Sequence, residues 1–388
     1  MGLSSAFLLL ALAALTPFLY ERSQVLVMFY NNAPERLVKI NTFKSHSVKF
    51  ADRIRSCEDV LLLEDEGIAV LACDPGRERW NTVMGVFAPG PVAAAGLYVY
   101  DYKVAADEDA LRSIELVNFT TAADFHTLGM AYDKTTSTLY VSNHAKAGPR
   151  IETFKLSIGE LTATHTRTIQ HTLINGPNAI ALINSDEFYV SNDHYFTATW
   201  SKALSKVETY LALPLGTVVH VKTHGGETRA SVVARLPFAN GIEILNSTTV
   251  AVASTSGSVV NLYDARRDGS LTYRSRIRVP FLPDNMSLSG GKLLIAGHPH
   301  PPALTKFTET RRICNDPDAL EEASSEMKEY CAVGNAPSAV AEWSESTGLR
   351  MLYLDTLYPT SATAVRDVNR GVGIVSGLYA KGVLVWRN

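Results

Sequence analysis

A repeat constrains this 388-residue chain more than any other feature. A small or polar turn, a strand, a loop and a second strand ending in Ser, Ala or Gly recur six times. The copies are EDVLLLEDEGIAVLACD (58–74), LGMAYDKTTSTLYVSNH (128–144), NAIALINSDEFYVSNDH (178–194), NGIEILNSTTVAVASTS (240–256), DNMSLSGGKLLIAGHPH (284–300) and ATAVRDVNRGVGIVSGLY (362–379). Runs such as RIETFKLS (150–157) and VVNLYDAR (259–266) follow as outer strands. Self-similarity at this period means a propeller or a solenoid before anything else. Parallel solenoids repeat more tightly and evenly, which favours a propeller, with one irregular sandwich as the alternative. The expectation is an all-β, six-bladed β-propeller over 23–388, preceded by an N-terminal hydrophobic signal or anchor segment over 1–22.

Bulk composition agrees. Hydrophobic residues make up 46% of the chain, enough for a large core, and charged residues 19%, below the usual quarter and suited to strands. The net charge of -3 comes without a basic stripe, which excludes nucleic acid as a partner. Residues 1–20 carry no charged side chain, Ala6–Leu15 is almost wholly apolar, and the first charges are Glu21 and Arg22. This reads as a signal peptide or a retained signal anchor, with a buried N-terminal helix as the alternative; Pro17 and the missing basic n-region depart from the usual pattern. The expected location is the secretory pathway, secreted or membrane-anchored, with the propeller on the lumenal or extracellular side. Four cysteines suit an oxidising compartment, and of three pairings the sequential one, Cys57 with Cys73 and Cys314 with Cys331, is the first choice. Cys314 and Cys331 bracket an acidic, helix-favouring segment whose Glu321–Lys328 stretch reads as a solvated helix face. CxxC spacing is absent, which argues against zinc. Sequons at Asn118, Asn246 and Asn285 make a glycoprotein an expectation. No GxSxG elbow, P-loop or GxGxxG after a strand is present.

In a propeller the innermost strand of each blade lines the axis, and the residues that begin it sit at the tunnel mouth. Those positions hold Glu58 and Asp59, His126 through Met130, Asn178, Asn240, and Asp284 with Asn285. One Asn before a strand is usually a turn residue. Oxygen-bearing side chains at equivalent places in successive copies instead suggest a calcium cage, since hard cations take six to eight oxygens.

These residues resemble the paraoxonase/arylesterase family. SCEDV (56–60), PNAIA (177–181), YVSNDHYF (189–196), FANGIEI (238–244), PDNMSLS (283–289) and GHPH (297–300) follow the family's segments in order. The resemblance implies a six-bladed propeller with one catalytic and one structural Ca2+, hydrolysing lactones, aryl esters and sometimes organophosphate triesters. It assigns Glu58, Asn178, Asn240, Asp284 and Asn285 to the catalytic ion, and Asp59 with the Met130 carbonyl to the structural one. The departures are equally specific. Ala179 stands where the family has a second structural carboxylate. The family's histidine dyad falls on Leu128 and His144, with His126 two residues before Leu128. Gly297 replaces a free cysteine, and the family's long-range disulfide has no counterpart.

A calcium ion with an open position would polarise a carbonyl or phosphoryl oxygen, and a base would activate water. His144 and His126 are the candidate catalytic bases, because imidazole titrates near neutrality. Asp193, His194 and His298 are candidates for orienting the ligands. Arg77, Arg79 and Trp80, on the turn that begins at Asp74, could touch substrate, although a simple connection is the plainer reading. The expected partner is a small ester or lactone, with membrane association through the N-terminal segment. The altered dyad leaves two rivals: a non-catalytic, calcium-stabilised binding propeller, or the chemistry of gluconolactonase-like or strictosidine-synthase-like propellers.

Overall fold

The computed structural model describes residues 3–104 and 107–387; Met1 and Gly2 of the apolar segment lie outside the described residues, as does Asn388. Each of the six sequence copies forms an antiparallel hairpin. The inner strands are Cys57–Leu63, Thr127–Asp133, Pro177–Asn184, Ala239–Asn246, Leu282–Ser289 and Ser361–Asp367. Each pairs with the strand that follows it, as Val60 does with Leu71 and Ile242 with Val252. The second strands Ile68–Cys73, Thr249–Ser254 and Val372–Gly377 are buried along their whole length. That explains why they read as continuous apolar runs and not as alternating ones: both faces are covered by neighbouring sheets.

The sheets form an all-β propeller. Inner strands pack side by side in chain order around one axis, and the sixth returns to the first. The first two copies share an eight-stranded sheet, whose halves join where Leu111–Val117 and Thr162–Ile169 run parallel. The third and fourth copies each head a four-stranded sheet, and the fifth heads a five-stranded one that includes the early strand Ile40–Asn41. The sheet of the sixth copy takes its outermost strand, Ser45–Lys49, from the first fifty residues, antiparallel to Val383–Arg387. Chain start and chain end are thus clasped in one sheet, with Phe43 stacked on Trp386 at 4.2 Å between ring centroids, a contact worth about 0.5–1.5 kcal/mol beyond its burial.

The start of an inner strand and the end of its partner lie at the same end of the hairpin. Insertions after the second strands therefore gather over the tunnel mouth. They are the turn and loop over 74–95, helix α2 (Lys202–Tyr210), and the helices α3 (Pro301–Cys314), α4 (Pro317–Glu321) and α5 (Ser325–Val333). Ser201 caps α2 by accepting from the Leu204 N–H. Pro301 opens α3 behind a His300 cap, and Arg311 with Arg312 in its last turn complement the helix dipole. The acidic 321–328 segment is two short helices and not one, broken before the Ser324 cap of α5. Cys57–Cys73 and Cys314–Cys331 are disulfides. The first ties a cross-strand pair, and the second staples α3 to α5.

Helix α1 (Leu3–Asn31) runs unbroken through the expected boundary at residue 22. It is tied to the sheet of the fourth copy: Glu21 pairs with Arg276 at 3.1 Å and Arg278 at 2.6 Å, and Arg22 donates to the Ser256 carbonyl at 2.8 Å. Among the described residues no helix is long and apolar enough to cross a membrane.

Candidate functional site

Four inner strands bring the tunnel-mouth residues together. Their ladders lose register at Cys57/Asp59, Pro177/Ile180, Ala239/Ile242 and Pro283/Met286. Those bulges contain Glu58, Asn178, Asn240, and Asp284 with Asn285. A bulge rotates side chains out of the pleat and re-aims them, here toward the axis. Two glycines permit the strands to close up. A Cβ on Gly129 would sit 2.5 Å from the Asn178 carbonyl oxygen, and one on Gly241 would sit 2.5 Å from that of Asp284. Two of the strands are preceded by a non-glycine residue in the left-handed region, Ser56 (φ 56°) and Phe238 (φ 47°). Each lies two positions before a tunnel oxygen, and such strain is held only where surrounding structure over-determines it.

The hydrogen bonds leave a particular set of oxygens free. Asn285 donates from Nδ2 to Glu58 Oε1 at 2.7 Å and to Thr363 Oγ1 at 3.1 Å. Asn240 donates from Nδ2 to Thr255 Oγ1 at 3.0 Å. Their Oδ1 atoms, with Asn178 Oδ1 and Glu58 Oε2, are buried without a partner. Burial, then Asp59, then Asp284 push the Glu58 carboxyl well above the carboxylate range. Leaving one such oxygen unpaired costs about 1–3 kcal/mol, and more for a charged one. Four together are oxygens that could hold a cation. Two carboxylates and three amides form an all-oxygen set suited to a hard divalent ion. Among the described residues no three His, Cys, Asp or Glu side chains gather at one point; most of this set's oxygens are amide oxygens.

Glu58, Asn178, Asn240 and Asp284 line one wall of a chamber of about 360 Å3. Its other walls are mostly apolar, with Leu128, Phe238, Leu282 and Leu304 from the propeller and Phe18, Leu19, Val25 and Phe29 from α1. Helix α1 is therefore the roof of the tunnel mouth, a role its composition did not reveal.

The histidines sort differently from expectation. His144, buried against the tunnel wall behind Leu128, donates from Nε2 to the Pro177 carbonyl at 2.7 Å, and its Nδ1 bonds the Thr82 hydroxyl. Neither nitrogen is free, burial lowers its pKa, and it does not line the chamber. His126 lies beside Asp74 (Nδ1 to Oδ2 3.4 Å) and faces a cleft of about 10 Å3, not the chamber. Arg77 borders that cleft and donates to the Thr127 carbonyl, and the Trp80 indole N–H donates to the His144 carbonyl. Arg79 pairs with Asp316 at 2.9 Å, joining the turn to α4. His194 bridges Asp193 (2.8 Å) and Thr209 Oγ1 (2.6 Å), which anchors α2. His298 is the histidine that lines the chamber: its Nε2 bonds Asp284 Oδ2 at 2.9 Å while Nδ1 has no partner.

The other end of the tunnel is a separate cavity of about 270 Å3 that includes Asp59, Met130, Ala179, Glu243 and Asn285. Asp59 is served by the chain itself: Oδ1 accepts from the Val60 N–H at 2.8 Å and the Thr363 hydroxyl at 3.0 Å, and Oδ2 from the Met130 N–H at 2.7 Å. Burial still pushes its carboxyl up to about 6. Glu243, which the sequence reading passed over, is pushed up to about 8 by burial and by Asp59. The sequon at Asn285 is buried within the tunnel, so the folded chain cannot present it for glycosylation; Asn118 and Asn246 are exposed.

A family model described as Arylesterase matches residues 85–314. The chain is 30% identical over 201 residues to serum paraoxonase/arylesterase 1 of Mus musculus, covering 50% of this chain and 55% of that protein. It is 30% identical over 166 residues to serum paraoxonase/lactonase 3 of Oryctolagus cuniculus, covering 42% and 45%. The match thus spans about half the length of these relatives. Among solved structures, a gluconolactonase from Xanthomonas campestris superposes with a TM-score of 0.51 at 14% identity, over 90% of this chain and 93% of that one, a likeness of fold.

Proposed function

The chain belongs to the arylesterase family, and on that premise we propose that it is a calcium-dependent hydrolase of lactones and aryl esters. The fold is read as six blades by counting the eight-stranded sheet as two. The observation that carries the reading is the set of buried, unpartnered oxygens of Glu58, Asn178 and Asn240 on the chamber wall beside Asp284, with the equally unpartnered Asn285 joined to Glu58 through its Nδ2. These five residues would hold calcium. Bound there, calcium supplies Lewis-acid polarisation of the carbonyl and stabilises the negative charge that develops on its oxygen.

The chain's own groups do the rest. Leu128, Phe238 and the α1 roof exclude bulk water and hold the apolar body of the substrate. His298 donates Nε2–H to Asp284 Oδ2, which fixes the tautomer with a lone pair on Nδ1. Nδ1 then takes a proton from the attacking water and returns it to the leaving oxygen. His298 replaces His144 and His126 in this role. One ion is proposed, at the upper set; Asp59 already has donors for both oxygens. Two disulfides and the apolar N-terminus support the secretory pathway, and exposed Tyr20, Leu26, Val27 and Tyr30 on α1 support membrane association.

Turnover of phenyl acetate and of a lactone panel including sugar lactones, with and without chelator, tests the reading. Loss of turnover on chelation and its return with calcium are expected; turnover indifferent to chelation overturns the mechanism. A second reading, a calcium-stabilised propeller that binds ligand without turning it over, is favoured by Leu128 and by the tied nitrogens of His144. Calcium binding with no substrate hydrolysed would select it.

A further inference from the structure

The chamber has one polar corner far in character from the oxygen set. Arg22, on the α1 roof, lines the chamber and donates one N–H to the Ser256 carbonyl at 2.8 Å. No carboxylate lies within ion-pair reach of its guanidinium among the described residues; the neighbouring Glu21 is turned outward to Arg276 and Arg278. Beside it, the Ser256 hydroxyl also lines the chamber, is buried, and has no partner. A guanidinium carries five N–H donors in a fixed fork, so Arg22 keeps four donors and a full charge against an otherwise apolar wall. Arg22 also borders an open groove outside the chamber, shared with Pro237 and Glu21, so this corner lies at the rim.

We infer that Arg22 and Ser256 form a carboxylate-reading corner, selecting amphipathic substrates that carry an anionic end separated by an apolar spacer from the ester or lactone. The inference rests on the hydrolase reading for the word substrate, but the anion site itself does not depend on turnover. Guanidinium–carboxylate recognition is bidentate and strong when water is excluded, and the Ser256 O–H supplies a further donor to the same oxygens. Phe18, Val25 and Phe29 line the space available to the spacer.

The test is equilibrium binding of a dansyl-labelled long-chain fatty acid and of its methyl ester to the full chain, followed by fluorescence. The acid is expected to bind about tenfold or more tightly than the ester. R22Q is expected to abolish that preference while leaving ester binding unchanged, S256A to reduce it, and R22K to retain much of it. A wild-type chain with no preference for the acid overturns the inference. So does R22Q weakening acid and ester alike, the signature of a roof helix that has lifted off. Because no chemistry is read, an Arg22-dependent preference in a chain that hydrolyses nothing would sink the hydrolase reading and leave the anion site standing. Hydrolysis without the preference would do the reverse.

Discussion

The two ends of the tunnel are built from adjacent residues yet reach opposite states. Glu58 and Asp59 are neighbours on one strand, and the bulge between Cys57 and Asp59 breaks their pleat, so that Glu58 lines the upper chamber and Asp59 the lower cavity. At the lower end both Asp59 oxygens accept hydrogen bonds from the chain. At the upper end Glu58 Oε2 and the amide oxygens of Asn178 and Asn240 have no donor, and Asn285, which lines the lower cavity, leaves its Oδ1 unpaired too; the amide nitrogens of Asn240 and Asn285 are tied back into the protein. The difference teaches that acidic residues in a tunnel do not by themselves mark an ion. A set of buried oxygens left without donors is the stronger mark, and among the described residues most of that set, from Glu58, Asn178 and Asn240, gathers at the upper end. Ala179, in place of a carboxylate, lies on the lower cavity.

The comparison breaks most sharply on a pair of variants. Asp284→Ala removes a ligand and the anchor of His298, and is expected to lower kcat/KM for a lactone by about 10²–10³-fold or more, with calcium lost from the chain by elemental analysis. Asp59→Asn places an amide where three donors point and is expected to cost about 1–3 kcal/mol of stability while the chain keeps its calcium. Equal loss of calcium in both would erase the distinction between the two ends. Chelation sharpens the same point thermodynamically: saturating calcium at about 100 Kd is worth about 2.7 kcal/mol, so the melting temperature should fall on chelation in the parent chain but not in Asp284→Ala. Gly241→Ala, whose Cβ would meet the Asp284 carbonyl at 2.5 Å, is expected to cost about 1–3 kcal/mol and to weaken calcium binding by pushing the fourth and fifth inner strands apart, read by titration calorimetry.

The smallest effect concerns the roof. The hydrogen bond from Arg278 holds the Glu21 carboxyl down to about 2, from an ordinary 4.5. A depressed carboxyl stabilises above its unfolded value and loses that contribution as pH falls through the folded one. Docking of α1 through Glu21 is thus complete above about pH 4.5 and lost toward pH 2. Glu21 is 30% exposed, so screening limits the pair to at most about 1 kcal/mol. Glu21→Gln should flatten the pH dependence of α1 protection from limited proteolysis by an acid-active protease between about pH 4.5 and pH 2, with no effect near neutrality on calcium content.

Much of the fold was legible because each hairpin is a local object. The strand pairs, the turn before each inner strand and the axis-facing oxygens recur within short stretches, so their sum pointed to a propeller and to Glu58, Asn178, Asn240, Asp284 and Asn285. The sequential disulfides were legible for the same reason, since Cys57 and Cys73 are cross-strand neighbours in one hairpin. The histidines were not. His144 and His126 occupy the right copy, but a ring's usefulness depends on which atoms surround it. Pro177, Thr82 and Asp74, which surround those rings, come from other segments. His298 acquired its place in the chamber through Asp284, fourteen residues away, across the fifth hairpin.

What the sequence determined alone was the repeating unit and the chemistry it carries to the axis: short-range patterning decides strands and turns, and oxygen-bearing residues at repeated positions need no knowledge of the whole. Only the tertiary structure decided which oxygens are left without donors, that Ser45–Lys49 closes the ring on Val383–Arg387, and that α1 folds over the mouth to bring Arg22 against Ser256. The ring closure and the docking of α1 depend on contacts between segments more than two hundred residues apart, whose pairing is set by how the sheets pack and leaves no periodic trace along the chain.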